Sequence, residues 1–163
     1  MENKKIESQK ITPCLWFNQN AEEAVRFYIS IFENSKIEAV THYNKNMPLP
    51  EGTVLTVEFQ LEGQEFLALN GGPVFTFTEA ISFIVNCETQ QEIDSFWSRL
   101  SEGGQIQQCG WLKDKFGLSW QIVPVQLGQM IKSKDVEKAN RVLQAMMQMV
   151  KLDIETLEAA YRG

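Results

Sequence analysis

Imidazole and thiol side chains, which supply most zinc and iron ligands and many nucleophiles, are few in this sequence and widely spaced. The chain has one histidine, His42, and three cysteines, Cys14, Cys87 and Cys109, with no CxxC pair. A mononuclear zinc or iron site usually draws on two or more histidines or cysteines, with carboxylates completing it. We therefore expect His42 to be a surface or edge residue, all three cysteines to be reduced, and Cys87 and Cys109 to be small buried side chains.

A different chemistry is suggested by an uncharged amide inside an apolar run. Gln121 lies in the segment Ser119-Trp120-Gln121-Ile122-Val123, which follows a turn predicted at Asp114 to Gly117. If Gln121 points inward, alternation along a strand places Ser119 and Val123 on the same face and Trp120 on the opposite one. An amide in that position could orient a small molecule by hydrogen bonding.

Aromatic and polar side chains elsewhere could complete a pocket around this amide. Trp16, Phe83 and Trp111 are predicted to lie on strands of the same sheet. Aromatic walls with a few amides and hydroxyls suit a small planar or apolar ligand, although the tryptophans could also simply fill the core. The predicted ligand pocket consists of Trp16, Asn70, Ser82, Phe83, Trp111, Ser119 and Gln121.

The composition is that of a globular protein and argues against several kinds of partner. The chain has 163 residues, 44% of them hydrophobic and 22% charged, which suits one domain or two small fused modules. A net charge of -6 disfavours nucleic acid and anionic membranes, because both attract basic patches. No apolar run approaches the roughly 20 residues that span a bilayer, and no apolar signal core follows the N-terminus. We expect a cytoplasmic protein with neither a nucleic-acid nor a membrane partner.

Two successive modules with the same order of elements are predicted to position these residues. The first module is predicted to have a helix at 21–32 and strands at 11–17, 35–43, 53–61 and 66–69. The second is predicted to have a helix at 89–100 and strands at 80–85, 105–112 and 118–123. The two halves align at an offset of 69 residues, which indicates an internal βαβββ duplication. The matching pairs are Glu23 and Glu92, Phe27 and Phe96, Tyr28 and Trp97, Ile31 and Leu100, and Ile37 and Ile106.

The predicted boundaries divide the chain into three parts. Residues 1–9 are predicted to be a flexible N-terminus, residues 10–125 the duplicated domain with modules at about 10–75 and 76–125, and residues 126–163 a helical extension. Apolar residues at helical spacing run from Val136 to Tyr161, with a possible break near Lys151 to Asp153. This extension either packs on its own domain or forms a dimer contact, since methionine adapts to variable surfaces.

Three motifs of the sequence resemble those of a known family. The first is Ile11 to Phe17 with the following Ala21-Glu22-Glu23-Ala24 and Phe27-Tyr28, the second is Phe66 to Pro73, and the third joins Cys109-Gly110-Trp111 to Gln121-Ile122-Val123-Pro124. Together they resemble the PhnB-like family of the glyoxalase/bleomycin-resistance (vicinal oxygen chelate) superfamily, whose members are often labelled 3-demethylubiquinone-9 3-methyltransferase. The resemblance implies an α+β fold, two βαβββ modules that form a cupped mixed sheet around a pocket, and a homodimer.

The resemblance does not by itself decide the activity, because the superfamily includes lyases, isomerases, dioxygenases, thiol transferases and antibiotic-binding proteins. Its metal enzymes place ligands at positions that correspond here to Thr12 or Pro13, a residue between Phe66 and Asn70, Ala80, and Gln121. None of these is His, Asp or Glu, although Glu65 and Glu79 lie next to two of the positions. We therefore predict a metal-independent protein, without a cofactor, that binds an unidentified small molecule.

Two alternatives stay open at this point. One is an enzyme, either metal-assisted or the labelled methyltransferase. Transfer from S-adenosylmethionine usually uses a Gly-rich turn that opens a helix, whereas Gly71-Gly72 is predicted to end a strand and Gly103-Gly104 to follow a helix. The other is a structural dimer module, in which side chains would fill the predicted pocket.

Overall fold

A computed structural model describes residues 9–163 of the chain. The predicted flexible N-terminus, residues 1–9, lies outside this range except for its last residue. The chain divides into two compact units, one that extends to Thr76 and a second that runs from Phe77 to Gly163. No helix in the described part is long and apolar enough to cross a membrane.

The first unit has one helix and four strands, arranged in the sheet order β1-β4-β3-β2. Strand β1 pairs in parallel with β4, and the other neighbours are antiparallel. Helix α1 packs on the sheet through an apolar stripe that recurs at helical spacing, from Ala21 through Ala24, Val25 and Tyr28 to Ile31. The elements are β1 (Cys14–Phe17), α1 (Ala21–Ile31), β2 (Ser35–His42), β3 (Val54–Leu61) and β4 (Gln64–Asn70).

The second unit repeats this plan in the sheet order β5-β8-β7-β6. Strand β5 pairs in parallel with β8, as β1 does with β4, so both units are βαβββ modules and the predicted α+β fold is confirmed. Three helices follow the second sheet. The elements are β5 (Ser82–Cys87), α2 (Gln90–Ser101), β6 (Gln105–Ile106), β7 (Trp111–Lys113), β8 (Ser119–Pro124), α3 (Val125–Ile131), α4 (Val136–Met147) and α5 (Ile154–Arg162).

The strand predicted at 105–112 is wrong in one respect, because it is divided into β6 and β7. Between them Cys109 and Gly110 have φ of 58° and 81°, a left-handed conformation that cannot continue a β ladder. Their backbone N–H groups donate to the carbonyl oxygens of Met149 and Val150, which precede α5. Cys109 therefore lies in a loop and not in the predicted strand.

The helical extension packs on the second unit around its own apolar cluster. The cluster contains Leu127, Met130, Val142, Leu152 and Leu157, and Val123 of β8 packs against it. The amide of Gln90 on α2 also holds the segment before α5, since it accepts from Ile154 N and donates to Leu152 O. The break predicted near Lys151 to Asp153 is present between α4 and α5, whereas α3 is a further helix that the apolar spacing did not indicate.

Candidate functional site

The second sheet brings six side chains into two adjacent rows on one face. Residues directly opposite one another on neighbouring strands point to the same face, as does every second residue along a strand. One row runs Trp111, Gln121, Ile84, and the next runs Lys113, Ser119, Ser82. We call these six residues the Gln121 face.

The turn before β8 is held by a buried carboxylate, Asp114, which is only 3% exposed. Its Oδ1 accepts from the N–H groups of Phe116 and Leu118 at 2.8 and 3.1 Å, and its Oδ2 accepts from Trp120 Nε1 at 2.9 Å. Because the Trp120 indole is anchored on one side of β8, the alternating side chains on either side of it point to the Gln121 face. The predicted turn is present, but this anchoring role of Asp114 was missed. An Asp that opens a tight turn ending in Gly117 was the available signal.

The opposite face of the second sheet is the core of that unit. Helix α2 packs there through Ile93, Trp97 and Leu100, all of which are buried. Phe83 lies on this side with its ring centroid 5.7 Å from that of Trp120. Phe83 is therefore separated by the sheet from Gln121, and it contributes to packing under the site.

Hydrogen-bonding groups on the Gln121 face are only partly satisfied by the described residues. Gln121 Nε2 donates to Ser82 Oγ at 2.9 Å, which uses one of its two N–H groups, and no side chain or backbone group among residues 9–163 donates to its Oε1. Ser119 is fully buried and its hydroxyl has no partner among residues 9–163. Such a buried, unpaired hydroxyl costs about 1–3 kcal/mol, so a molecule that reached it would recover that free energy.

The one charged side chain of the face is neutralised by a neighbour. Lys113 Nζ lies 2.6 Å from Glu79 Oε1, and Gln107 Nε2 donates to the same oxygen at 3.2 Å. The hydrogen bond from Lys113 contributes most to holding the pKa of Glu79 below its usual range, and the one from Gln107 adds to it. The carboxylate therefore stays ionised at neutral pH. The Gln121 face therefore presents aromatic, apolar and neutral polar groups with little net charge.

Trp16 lies on the first sheet, so the prediction that it shares one sheet with Phe83 and Trp111 is wrong. Its Nε1 donates to Gly72 O at 2.9 Å, and its ring meets Phe75 edge-on at 4.9 Å between centroids. A Cβ at Gly71 would stand 2.2 Å from the Trp16 ring, so glycine is required for the indole to lie there. These contacts of Trp16 lie within the first unit.

Asn70 uses its side chain to join three elements of the first unit. It is 2% exposed, its Oδ1 accepts from Ala21 N at the start of α1, and its Nδ2 donates to Val54 O on β3. Its backbone oxygen accepts from the Tyr43 hydroxyl at 2.6 Å. The Asn70 oxygen takes the place of a helix cap for α1, because Asn20, the residue before the helix, makes no side-chain cap bond.

Side chains with metal-binding or nucleophilic chemistry do not gather at any of these places. Among residues 9–163 there is no group of three His, Cys, Asp or Glu side chains that could hold a metal. His42 is exposed at the end of β2, and Cys14 is exposed on β1. Burial, with a smaller contribution from Glu92, raises the pKa of the Cys87 thiol to about 12, which suppresses its nucleophilic thiolate form.

Two βαβββ units, each with its first strand parallel to its last, define a protein of the glyoxalase/bleomycin-resistance class. Residues 9–123 match the model of the family described as 3-demethylubiquinone-9 3-methyltransferase. This match covers most of the chain, so the protein belongs to that family, the PhnB-like branch of the superfamily. Helices α3, α4 and α5 lie beyond the matched residues.

Solved structures agree with this assignment. A PhnB protein from Bacillus cereus is 42% identical, with a TM-score of 0.67 over 72% of this chain and 100% of that chain. Protein PA1353 from Pseudomonas aeruginosa is 22% identical, with a TM-score of 0.59 over 72% of this chain and 98% of that chain. The fosfomycin resistance protein FosX from Listeria monocytogenes is 16% identical, with a TM-score of 0.55 over 78% of this chain and 100% of that chain, and it shares the fold. Among curated proteins, none matches the chain.

Proposed function

We propose that the protein binds a small molecule on the Gln121 face without the help of a metal ion. The observation that carries this proposal is the fully buried Ser119 hydroxyl, which has no partner among residues 9–163 and lies beside the half-used amide of Gln121. Buried polar groups are nearly always paired, so an unpaired one calls for a partner such as a bound water, an ion or another molecule. Trp111 and Ile84 flank Gln121 and supply the apolar surface that a bound ring would cover.

The donor set of this face supports binding without a metal. A carboxamide oxygen is a weak ligand for zinc or iron, which prefer thiolate, imidazole and carboxylate. The last pairs of the two parallel ladders are Phe17 with Asn70 in the first unit and Cys87 with Pro124 in the second. Three positions before each end, Leu67 stands in the first unit where Gln121 stands in the second, so the corresponding position is apolar. The nearby carboxylate, Glu79, is already paired with Lys113. Gln121 would thus act as a hydrogen-bonding group and not as a ligand.

A ligand would exchange its hydrogen bonds with water for hydrogen bonds to polar groups that the fold already holds in place. The Gln121 amide is oriented by Ser82, and Ser82 and Ser119 lie opposite each other on neighbouring strands. Groups held in place before binding lose little conformational freedom when the ligand arrives. Trp111 is half-buried, so its ring loses further solvent contact when a ligand covers it.

The methyltransferase named by the family description is the alternative to weigh. Its cofactor, S-adenosylmethionine, is usually held where a Gly-rich turn opens a helix. Gly71-Gly72 follows β4 and Gly103-Gly104 follows α2, so neither pair opens a helix. We expect S-adenosylmethionine at millimolar concentration to leave the melting temperature unchanged. A saturable rise would instead favour the transferase.

The proposal is tested by metal analysis and native mass spectrometry of protein purified without chelator. We expect no stoichiometric transition metal, and an organic adduct that is lost in Gln121→Leu but kept in Gln60→Leu, a control glutamine on β3 of the first sheet. One equivalent of transition metal that disappears in Gln121→Leu would contradict metal-free binding.

Homodimerisation and a cytoplasmic location belong to the same proposal. Exposed apolar side chains on the last helices, Val136 and Met147, support a contact between copies. Light scattering is expected to give twice the chain mass of 18.7 kDa, whereas a value of one chain mass would contradict the dimer.

A further inference from the structure

Resting on the proposed function, we infer that the ligand of the Gln121 face is an uncharged planar ring with a hydrogen-bond donor next to an acceptor. Lactams and cyclic imides carry such an edge. Three features of the face lead to this class of molecule: the unused half of the Gln121 amide, the side chains that flank it, and the cancelled charge of Lys113.

After its bond to Ser82, the Gln121 amide keeps one acceptor, Oε1, and one N–H donor, and these stand side by side when Ser82 accepts the N–H that points away from Oε1. Because Ser82 Oγ accepts from one N–H, the groups left are Oε1 and the second N–H. A primary amide with both groups available pairs with a ring edge that carries a donor beside an acceptor, as glutamine does when it reads the edge of adenine. A ligand with only acceptors would leave Oε1 without a partner, and leaving such a group unpaired in a buried contact costs affinity.

The side chains that flank the amide favour a flat ligand. Trp111 lies directly opposite Gln121 on β7, and Ile84 lies opposite on β5 with 55% of its surface exposed. A ring whose edge meets Gln121 would therefore have apolar surface on both sides. Aromatic side chains bind planar rings by offset stacking, which adds to the free energy of burial.

The charge of the face favours a neutral ligand over an anion. Lys113 is the cation of the face, and its ammonium group is paired with Glu79 at 2.6 Å. An anion would have to displace Glu79 from Lys113 or give up its solvation without a cation to pair with, and each of these costs free energy. A neutral ring requires neither change.

The test is a titration of nitrogen-15-labelled full-length protein with three probes, followed by NMR. The probes are uracil, which is planar and carries the donor–acceptor edge, its N,N′-dimethyl derivative, which has lost the donors, and benzoate, which is a planar anion. The signals to follow are the side-chain NH₂ of Gln121 and the indole N–H of Trp111, assigned by their loss in Gln121→Leu and Trp111→Phe.

We expect uracil to shift both signals in a saturable way and to bind about three- to tenfold more tightly than the dimethyl derivative, the value of one neutral hydrogen bond. Benzoate is expected to bind more weakly than uracil, and Gln60→Leu to leave all three results unchanged. Equal or tighter binding of benzoate or of the dimethyl derivative at these signals would overturn the ligand class while leaving small-molecule binding at the face intact. If no probe shifts either signal, the ligand class is overturned, whereas saturable shifts of the same two signals by compounds of another class would leave the proposed function intact.

Discussion

Removal of the unpaired hydroxyl of Ser119 is expected to stabilise the protein, which is the opposite of what most buried substitutions do. Ser119 is fully buried and its Oγ has no partner in the described part of the chain, so the folded state bears the cost of removing that hydroxyl from water without a compensating bond. That cost is about 1–3 kcal/mol. Ser119→Ala abolishes it and loses only a few dispersion contacts of about 0.1–0.2 kcal/mol each. The free energy of unfolding should rise by about 1 kcal/mol.

Ser82 provides a matched control for this substitution. It lies opposite Ser119 on the neighbouring strand, but its hydroxyl accepts from Gln121 Nε2 at 2.9 Å. Ser82→Ala therefore breaks a hydrogen bond and should lower the free energy of unfolding by about 0.5–1.5 kcal/mol. The two variants thus differ in sign although they make the same chemical change.

Urea denaturation and thermal melting measure both effects. For a chain of this length, a change of 1 kcal/mol shifts the melting temperature by about 2–4 °C. We expect the melting temperature of Ser119→Ala to rise and that of Ser82→Ala to fall by similar amounts. If Ser119→Ala destabilises the protein as much as Ser82→Ala does, the Ser119 hydroxyl is satisfied in the native state and the reasoning is refuted.

Three further predictions concern other positions in the two units. Asp114→Ala should lower the free energy of unfolding by about 3–5 kcal/mol, because it removes the buried acceptor of two backbone N–H groups and of the Trp120 indole. Urea denaturation measures this change, and a loss below about 1 kcal/mol would show that these bonds do not hold the turn. Gly71→Ala should lower the free energy of unfolding by about 1–3 kcal/mol and shift Trp16 fluorescence, because the added Cβ meets the indole. Gly128→Ala on α3 is the control: an added Cβ there has no described atom within 4 Å, so this change should be neutral or stabilising. Equal effects of the two substitutions would contradict the close approach at Gly71. The pKa of Cys87 is raised from 9.0 to about 12 in the folded protein, so as the pH rises the thiol ionises in the unfolded chain before it does in the folded one. The contribution of this thiol to the free energy of unfolding is therefore complete below about pH 9 and is lost as the pH rises toward 12. This loss should be absent in Cys87→Ala, and a thiol reagent at pH 8 should not modify Cys87 in the folded protein.

The modules could be predicted from the sequence because their signals are local. Apolar residues at helical spacing define α1 and α2, and the turns at Glu62-Gly63 and Asp114 to Gly117 mark two hairpins. These signals depend on residues a few positions apart, and they are therefore visible in a single sequence.

The rows of the Gln121 face could not be predicted in the same way. Alternation tells which residues of one strand share a face, but the register between strands depends on turn geometry and long-range packing. The pairing of Lys113 with Glu79 and the bonds of the Asn70 side chain to Ala21 and Val54 join residues far apart in sequence. The sequence around an amide side chain with apolar neighbours does not show what the amide binds. The Asn70 amide bonds to backbone groups at both of its atoms, whereas the Gln121 amide makes one bond, to Ser82.

The loop at Cys109 is a second point that periodicity missed. The sequence predicts one strand from 105 to 112, but the left-handed conformation at Cys109 and Gly110 divides it. The loop is stabilised by backbone bonds to Met149 and Val150, which lie about 40 residues further along the chain. A contact with so distant a segment leaves no pattern in the local sequence.

The central claim, that small molecules bind at the Gln121 face without a metal, is tested most directly by NMR mapping of a library of small heteroaromatic compounds in the presence of EDTA. We predict that the compounds that bind shift signals of Trp111, Ser119 and Gln121, and that the same compounds lose affinity for Gln121→Leu but not for Gln60→Leu. Binding that appears only when a divalent metal is added, or shifts confined to other residues, would contradict the claim.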